Sequence, residues 1–150
     1  MKLVIRKSNK CLEVWEENRP VKTYPVATGK QEGHKELEGD LRTPEGDYIV
    51  CVKNPRSKYH LSLGLNYPNN LDAQAGLKKG RITESEYRAI CEANNAGKIP
   101  PWKTVLGGEI YIHGHLEKQN WTHGCIRMND PDIEELFKLA AVGTKVTILP

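Results

Sequence analysis

Apolar residues recur at roughly every second position through the first part of the chain. The stretches "LVIRK", "CLEVWEE" and "VKTYPVATG" all alternate in this way, and Asn9, Asn18 to Pro20 and Gly29 interrupt them. A period of two belongs to a strand with one buried face, so three strands are predicted here. "RTPEGDYIVCVKN" opens on a Pro-Glu-Gly turn and continues as a strand over Asp47 to Lys53. Residues 54–70 are rich in Asn, Pro, Ser and Tyr and predict a loop that holds one short strand, "YHLSLGL".

The period then changes. Thr83 to Glu86 has the form of a capping box, and Tyr87, Ile90, Cys91 and Asn94 follow at helical spacing up to Gly97. "KIPPWKTVLGGEIYIHG" returns to loop and then strand. A second helix is predicted with Asp130 as its cap and Pro131 in its first turn. Its apolar face is Ile133, Leu136, Phe137 and Ala140, and Gly143 stops it. "TKVTILP" reads as a closing strand. No repeat, low-complexity tract or linker interrupts the pattern. The expected fold is therefore a single, mainly β domain over residues 1–150, with one or two short helices.

Composition narrows the class. The 150 residues are 38% hydrophobic and 27% charged, a globular balance with enough apolar mass for a core. The net charge of +3 is spread among scattered Lys and Arg. Without a basic block, no nucleic-acid partner is expected. "MKLVIRKSNKCLEVW" has neither a long apolar run nor a small-residue cleavage site, so no signal peptide or membrane insertion is expected. Cys11, Cys51, Cys91 and Cys125 are widely spaced and form no CxxC pair. That excludes a zinc ribbon or a disulfide framework as the natural reading and favours a reducing compartment.

The chemistry concentrates in "NWTHGCIRM", residues 120–128. In an extended segment residues two apart share a face, so His123, Cys125 and Arg127 point one way and Ile126 and Met128 the other. In the strand before it, Ile110 and Ile112 face a core, while Tyr111, His113 and His115 face away. If the two segments pair, His113 approaches Cys125 across a loop of residues 114–122. A free thiol is mostly protonated at neutral pH, and an adjacent imidazole can take its proton and hold an ion pair. The N–H groups of Gly124 and Cys125 are candidate oxyanion donors, because Gly124 lets the backbone approach a carbonyl. Arg127 offers a forked donor for a carboxylate.

Simpler readings compete. Cys11, Cys51 and Cys91 read as small buried hydrophobes, whereas Cys125 lies in a polar stretch between Gly, His and Arg. His113, His115, His123 and Cys125 also have spacing that a metal can use. His34 and His60 stand alone and read as surface or satisfied residues.

"YIHGHLEKQNWTHGCIRMND" resembles the signature of the L,D-transpeptidase catalytic domain, the YkuD family. The match runs through His113-Gly114, Thr122-His123-Gly124-Cys125 and Arg127. "YPVATGK", "RTPEGDY", "LSLGLNYPN" and "PPWKTVLGGEIYIHG" resemble it too, so the likeness covers nearly the whole chain. It implies a β-sandwich of mixed sheets with the site in a cleft at one end. It implies that Cys125 attacks the L-centre carbonyl of a diamino acid in a peptidoglycan stem peptide and holds the acyl group as a thioester. An acceptor amine resolves the thioester; if water does so, the enzyme is an L,D-carboxypeptidase or endopeptidase. His113 is implied as general base, oriented by the carbonyl of Gly114. His123 and Gly124 are implied on the oxyanion side, and Arg127, Thr122 and Tyr67 are implied to contact substrate. No cofactor or metal is expected, and a non-catalytic metal- or wall-binding module is the reading from another class. The interval from His113 to Cys125 is short, and the resemblance implies that the helical segment at 71–99 stands in for a lid. The family implies a place in the cell envelope or periplasm, while the chain as read shows no leader. Nothing in the sequence speaks to oligomeric state.

Overall fold

The computed structural model describes residues 1–150. Eight strands and three helices follow in the order β1 (Lys2–Arg6), β2 (Cys11–Glu16), β3 (Arg19–Ala27), β4 (Gly46–Ser57), β5 (His60–Leu65), α1 (Asn70–Lys78), α2 (Glu84–Asn95), β6 (Tyr111–His113), β7 (Ile126–Met128), α3 (Asp130–Leu139) and β8 (Lys145–Leu149). The strands close into a barrel in the order β1-β2-β3-β7-β6-β5-β4-β8. Most neighbours are antiparallel, but β1 pairs β8 in parallel and β6 pairs β7 in parallel. The long strands β3 and β4 take part in both halves of the barrel. The expected sandwich of mixed sheets is thus present, with its two sheets joined along both edges.

Alternation explains the core. Leu12 and Val14 on β2 and Val146 and Ile148 on β8 point inward, and Leu3 and Ile5 on β1 are fully buried. They belong to one cluster of 20 residues that α3 closes with Ile133, Leu136 and Ala140. Each such side chain, once buried, contributes about 1.5–3 kcal/mol.

Three helices form where one or two were expected. The extra one, α1, has a capping box between Asn69 and Asp72, yet buries only Ala73 and Gly76. So small a face leaves no apolar period to read. With α2 it forms a second, four-residue core of Ala73, Ile82, Ile90 and Leu106. The Thr83–Glu86 capping box of α2 forms as expected. At α3 the cap is Asn129 rather than Asp130. The Asp130 carboxylate instead accepts the backbone N–H of His115 at 2.8 Å.

Candidate active site

The site is built on the parallel pair β6 and β7. Ile112 stands opposite Ile126, and His113 opposite Arg127. Ile112 and Ile126 are fully buried in the core, so Tyr111, His113, Cys125 and Arg127 share the other face. Cys125 precedes β7 by one residue. Its sulfur accepts the N–H of Tyr111 at 3.4 Å, and its S–H donates to the carbonyl of Glu109 at 3.5 Å. The face expected from alternation therefore exists, and the thiol's resting partners on it are main-chain groups.

His113 is only 2% exposed. Its Nδ1 lies 2.8 Å from the carbonyl oxygen of Gly114. A carbonyl only accepts, so Nδ1 carries the proton and Nε2 keeps the free lone pair of the neutral ring. Burial pushes the imidazole down from 6.5 to about 4; the Gly114 carbonyl opposes this, and the positive charge of Arg127 adds to it. Cys125 is partly open, but the protein packed around its sulfur raises the thiol above its ordinary value. The Tyr111 N–H and the charges of Arg127 and Lys35 offset part of that rise. Both shifts oppose a standing thiolate–imidazolium pair. Burial thus favours the neutral form of both groups, against the ion pair that an adjacent imidazole could hold.

The segment 122–125 is locked from within. The Oγ1 of Thr122 donates to the carbonyl of Cys125 at 2.6 Å and accepts the N–H of Gly124 at 3.0 Å. Thr122 is 3% exposed. It is buried, and its hydroxyl is engaged in holding the loop. The Gly124 N–H is likewise spent and is not a free oxyanion donor. The N–H groups of His123 and Cys125 find no acceptor in the protein. Gly124 itself has a φ of +147°, and a Cβ there would stand 2.9 Å from the carbonyl oxygen of Arg42, so no other residue fits without a shift.

Cys125 opens into a pocket of about 400 Å³ lined in part by Lys35, Glu38, Glu109, His123 and Gly124. None of its lining residues comes from 71–99, so the helical segment does not act as the lid expected of it. The helices work at one remove. Leu106 packs against Gly76 and belongs to their small core. The N–H of Glu38, which lines the pocket, donates to the carbonyl of Val105 at 2.9 Å and so ties the pocket to the segment that carries Leu106. Tyr67 is 1% exposed and its hydroxyl donates to the Leu106 carbonyl at 2.8 Å. It supports the wall and does not line the pocket.

Lys35 had no signal in the sequence, yet it is 4% exposed and borders the pocket. Its ammonium donates to the Leu37 carbonyl at 2.9 Å and to Asp40 at 3.1 Å. Burial alone would raise the Asp40 carboxyl, but the N–H groups of Glu36 and Leu37, with Lys35, hold it low. His115, expected on the site face, turns to Asp130, with Nδ1 at 3.1 Å from its carboxylate. His115, Glu117 and Asp130 are the one trio of such side chains whose ligand atoms lie within 4.8 Å of one another. The set of His113, His115, His123 and Cys125 that a metal would need is not assembled. His34 is satisfied, with one ring nitrogen 2.8 Å from Asp72 and the other accepting the Glu45 N–H. All four cysteines are free thiols.

The fold is a mixed β-barrel that sets Cys125 just before β7 and a buried, carbonyl-oriented histidine on β6, the strand parallel to it. Residues 1–148 match the sequence profile described as the L,D-transpeptidase catalytic domain, YkuD, and the chain belongs to that family. YkuD of Bacillus licheniformis is 25% identical over 154 aligned positions, covering 99% of this chain and 66% of that protein. YqjB of Bacillus subtilis is 29% identical over 153 positions, covering 97% and 69%. Among solved structures, the helical cell shape determining protein Pgp2 of Campylobacter jejuni is 25% identical with a TM-score of 0.66, and the match covers 97% of this chain and 46% of that one. The L,D-transpeptidase of Xylanimonas cellulosilytica shares the fold at a TM-score of 0.58 and 16% identity, over 98% of this chain and 59% of that one. The chain thus spans about two thirds of the curated relatives' length and under half of Pgp2.

Proposed function

We propose that the chain is a cysteine-dependent L,D-transpeptidase acting on peptidoglycan stem peptides. The observation that carries this reading is the shared face of β6 and β7, with Cys125 beside Tyr111 and His113 held in one tautomer by Gly114.

Substrate entering the pocket displaces the thiol from the Glu109 carbonyl. Nε2 of His113 takes the thiol proton as sulfur attacks the L-centre carbonyl carbon of the diamino acid at stem position three. The C–S bond forms, and the carbonyl oxygen becomes an oxyanion facing the N–H groups of Cys125 and His123. Collapse breaks the C–N bond to the terminal D-amino acid, whose amine leaves with the proton from His113. The product is a thioester on Cys125. An acceptor amine then attacks, gives its proton to His113 and releases the thiol with a new amide. Water in that role yields the carboxypeptidase or endopeptidase outcome. Arg127, half-buried beside His113, adds positive charge for a substrate carboxylate. The likeness to a cell shape determining protein supports a role in wall remodelling. No helix of the chain is long and apolar enough to cross a membrane.

Intact-protein mass spectrometry with a tetrapeptide stem, with and without an acceptor amine, tests the reading. A thioester mass on the wild type, missing from Cys125→Ser and converted by the amine to an amide product, is the expected result. Tripeptide release without amide product assigns the hydrolase. Neither adduct nor product overturns the proposal.

A further inference from the structure

The tip of the β4–β5 hairpin reaches over the histidine. Lys58 and Tyr59 form its two-residue turn between Ser57 and His60. The Tyr59 ring stacks on the His113 imidazole, with centroids 4.3 Å apart and planes 22° from parallel. The Tyr59 carbonyl accepts the N–H of Gly114 at 3.0 Å. The carbonyl of that same glycine holds Nδ1 of His113 at 2.8 Å. One residue therefore touches the imidazole twice, once on its face and once through the peptide that orients it.

We propose that Tyr59 is a positioning residue for His113: its ring sets the plane of the imidazole and its carbonyl sets the Gly114 peptide. The inference rests on the reading of His113 as the base.

Three further observations support it. The turn is tied down, because the N–H of Tyr59 donates to Ser57 Oγ at 3.1 Å and Ser62 donates to the same oxygen at 2.6 Å. The clamp leaves no room at Gly114, where a Cβ would stand 2.9 Å from the Tyr59 carbonyl and 2.5 Å from the Asp130 carboxylate. Two cations lie over the ring: the Arg127 guanidinium is 5.8 Å and the Lys58 ammonium 5.0 Å from its centroid. Arg127 from β7, Lys58 from the hairpin and His115 from the following loop are the groups that act electrostatically on His113. All three disfavour its protonation, and the stacked ring excludes water from one of its faces. A neutral imidazole with one permitted orientation is what proton abstraction from a thiol needs.

The effect is read by following the histidine ring resonances of the full chain by NMR across pH, and by measuring kcat and KM on the stem peptide. Wild type, Tyr59→Phe, Tyr59→Ala and Tyr59→Leu are compared. Removing the ring should move the His113 midpoint up from about 4 toward 6.5. It should also lower kcat by about tenfold or more while KM changes about twofold at most. Tyr59→Phe, which keeps the ring, should restore both. Tyr59→Leu keeps apolar bulk and guards against a merely unfolded Ala variant; it should still lose kcat. A His113 midpoint and a kcat unchanged in a folded Ala or Leu variant overturn the proposal. Full activity in His113→Gln would instead refute the base assignment, while the midpoint shift still reports whether Tyr59 positions the ring.

Discussion

The hydroxyl of Thr43 donates to the carbonyl oxygen of Gly124 at 2.7 Å and accepts the N–H of Gly29 at 2.8 Å. Three segments far apart in sequence meet at this one oxygen: the end of β3, the turn before β4, and the residue preceding Cys125. Thr43 is fully buried. Gly29 has no space for a side chain, since a Cβ would lie 2.5 Å from the Leu41 carbonyl.

Thr43→Val keeps the shape and removes both bonds. Each buried group left without a partner costs about 1–3 kcal/mol. Urea denaturation should show a loss of about 2 kcal/mol or more, and acylation of Cys125 should slow as the 124–125 peptide loosens. Thr43→Ser should recover most of both.

Gly114→Ala places a methyl against the Tyr59 backbone and the Asp130 carboxylate. The backbone cannot give way as a flexible side chain can, so the His113–His115 segment must shift. Thioester formation, followed by mass, should fall by about tenfold or more, because small misplacements of reacting groups are costly.

Stability should depend on pH through His113. The unfolded chain binds a proton there below about 6.5, whereas the folded protein does so only near 4. Protons therefore favour the unfolded state in this window. The contribution is intact above pH 6.5 and is lost as pH falls toward 4, on the order of 3 kcal/mol in total. Denaturation of wild type and His113→Gln at pH 7 and pH 4.5 should show a smaller acid loss in the variant. Equal losses would mean that the imidazole is not held neutral by the fold.

Lys35→Met removes a positive charge that acts on the Cys125 thiol. The thiol should rise further, and its alkylation by iodoacetamide at pH 7.5 should slow several-fold, since one unit of pKa is about tenfold in thiolate. Lys35→Arg should sit close to wild type. The Met variant should also be less stable, because Asp40 loses the partner it meets at 3.1 Å.

Local periodicity determined much of this protein from the sequence. The alternation of "CLEVWE" sets the inward side of β2, and the spacing of Ile133, Leu136 and Ala140 sets the inward side of α3. The same rule puts Cys125 and Arg127 on the face opposite Ile126, and so marks where chemistry can sit. Tertiary structure decided what those faces meet. Only closure of the barrel lays β6 parallel to β7 and brings His113 level with Arg127. Only the β4–β5 tip reaching back over His113 makes Tyr59 its neighbour, and only the meeting of two distant loops buries Lys35 at the pocket that Cys125 lines. The difference has a physical cause. A hydrophobic period acts between residues two to four apart, whereas a hydrogen bond from Thr43 to Gly124, or a lysine's charge felt at a sulfur, acts across space between segments whose order along the chain carries no trace of it.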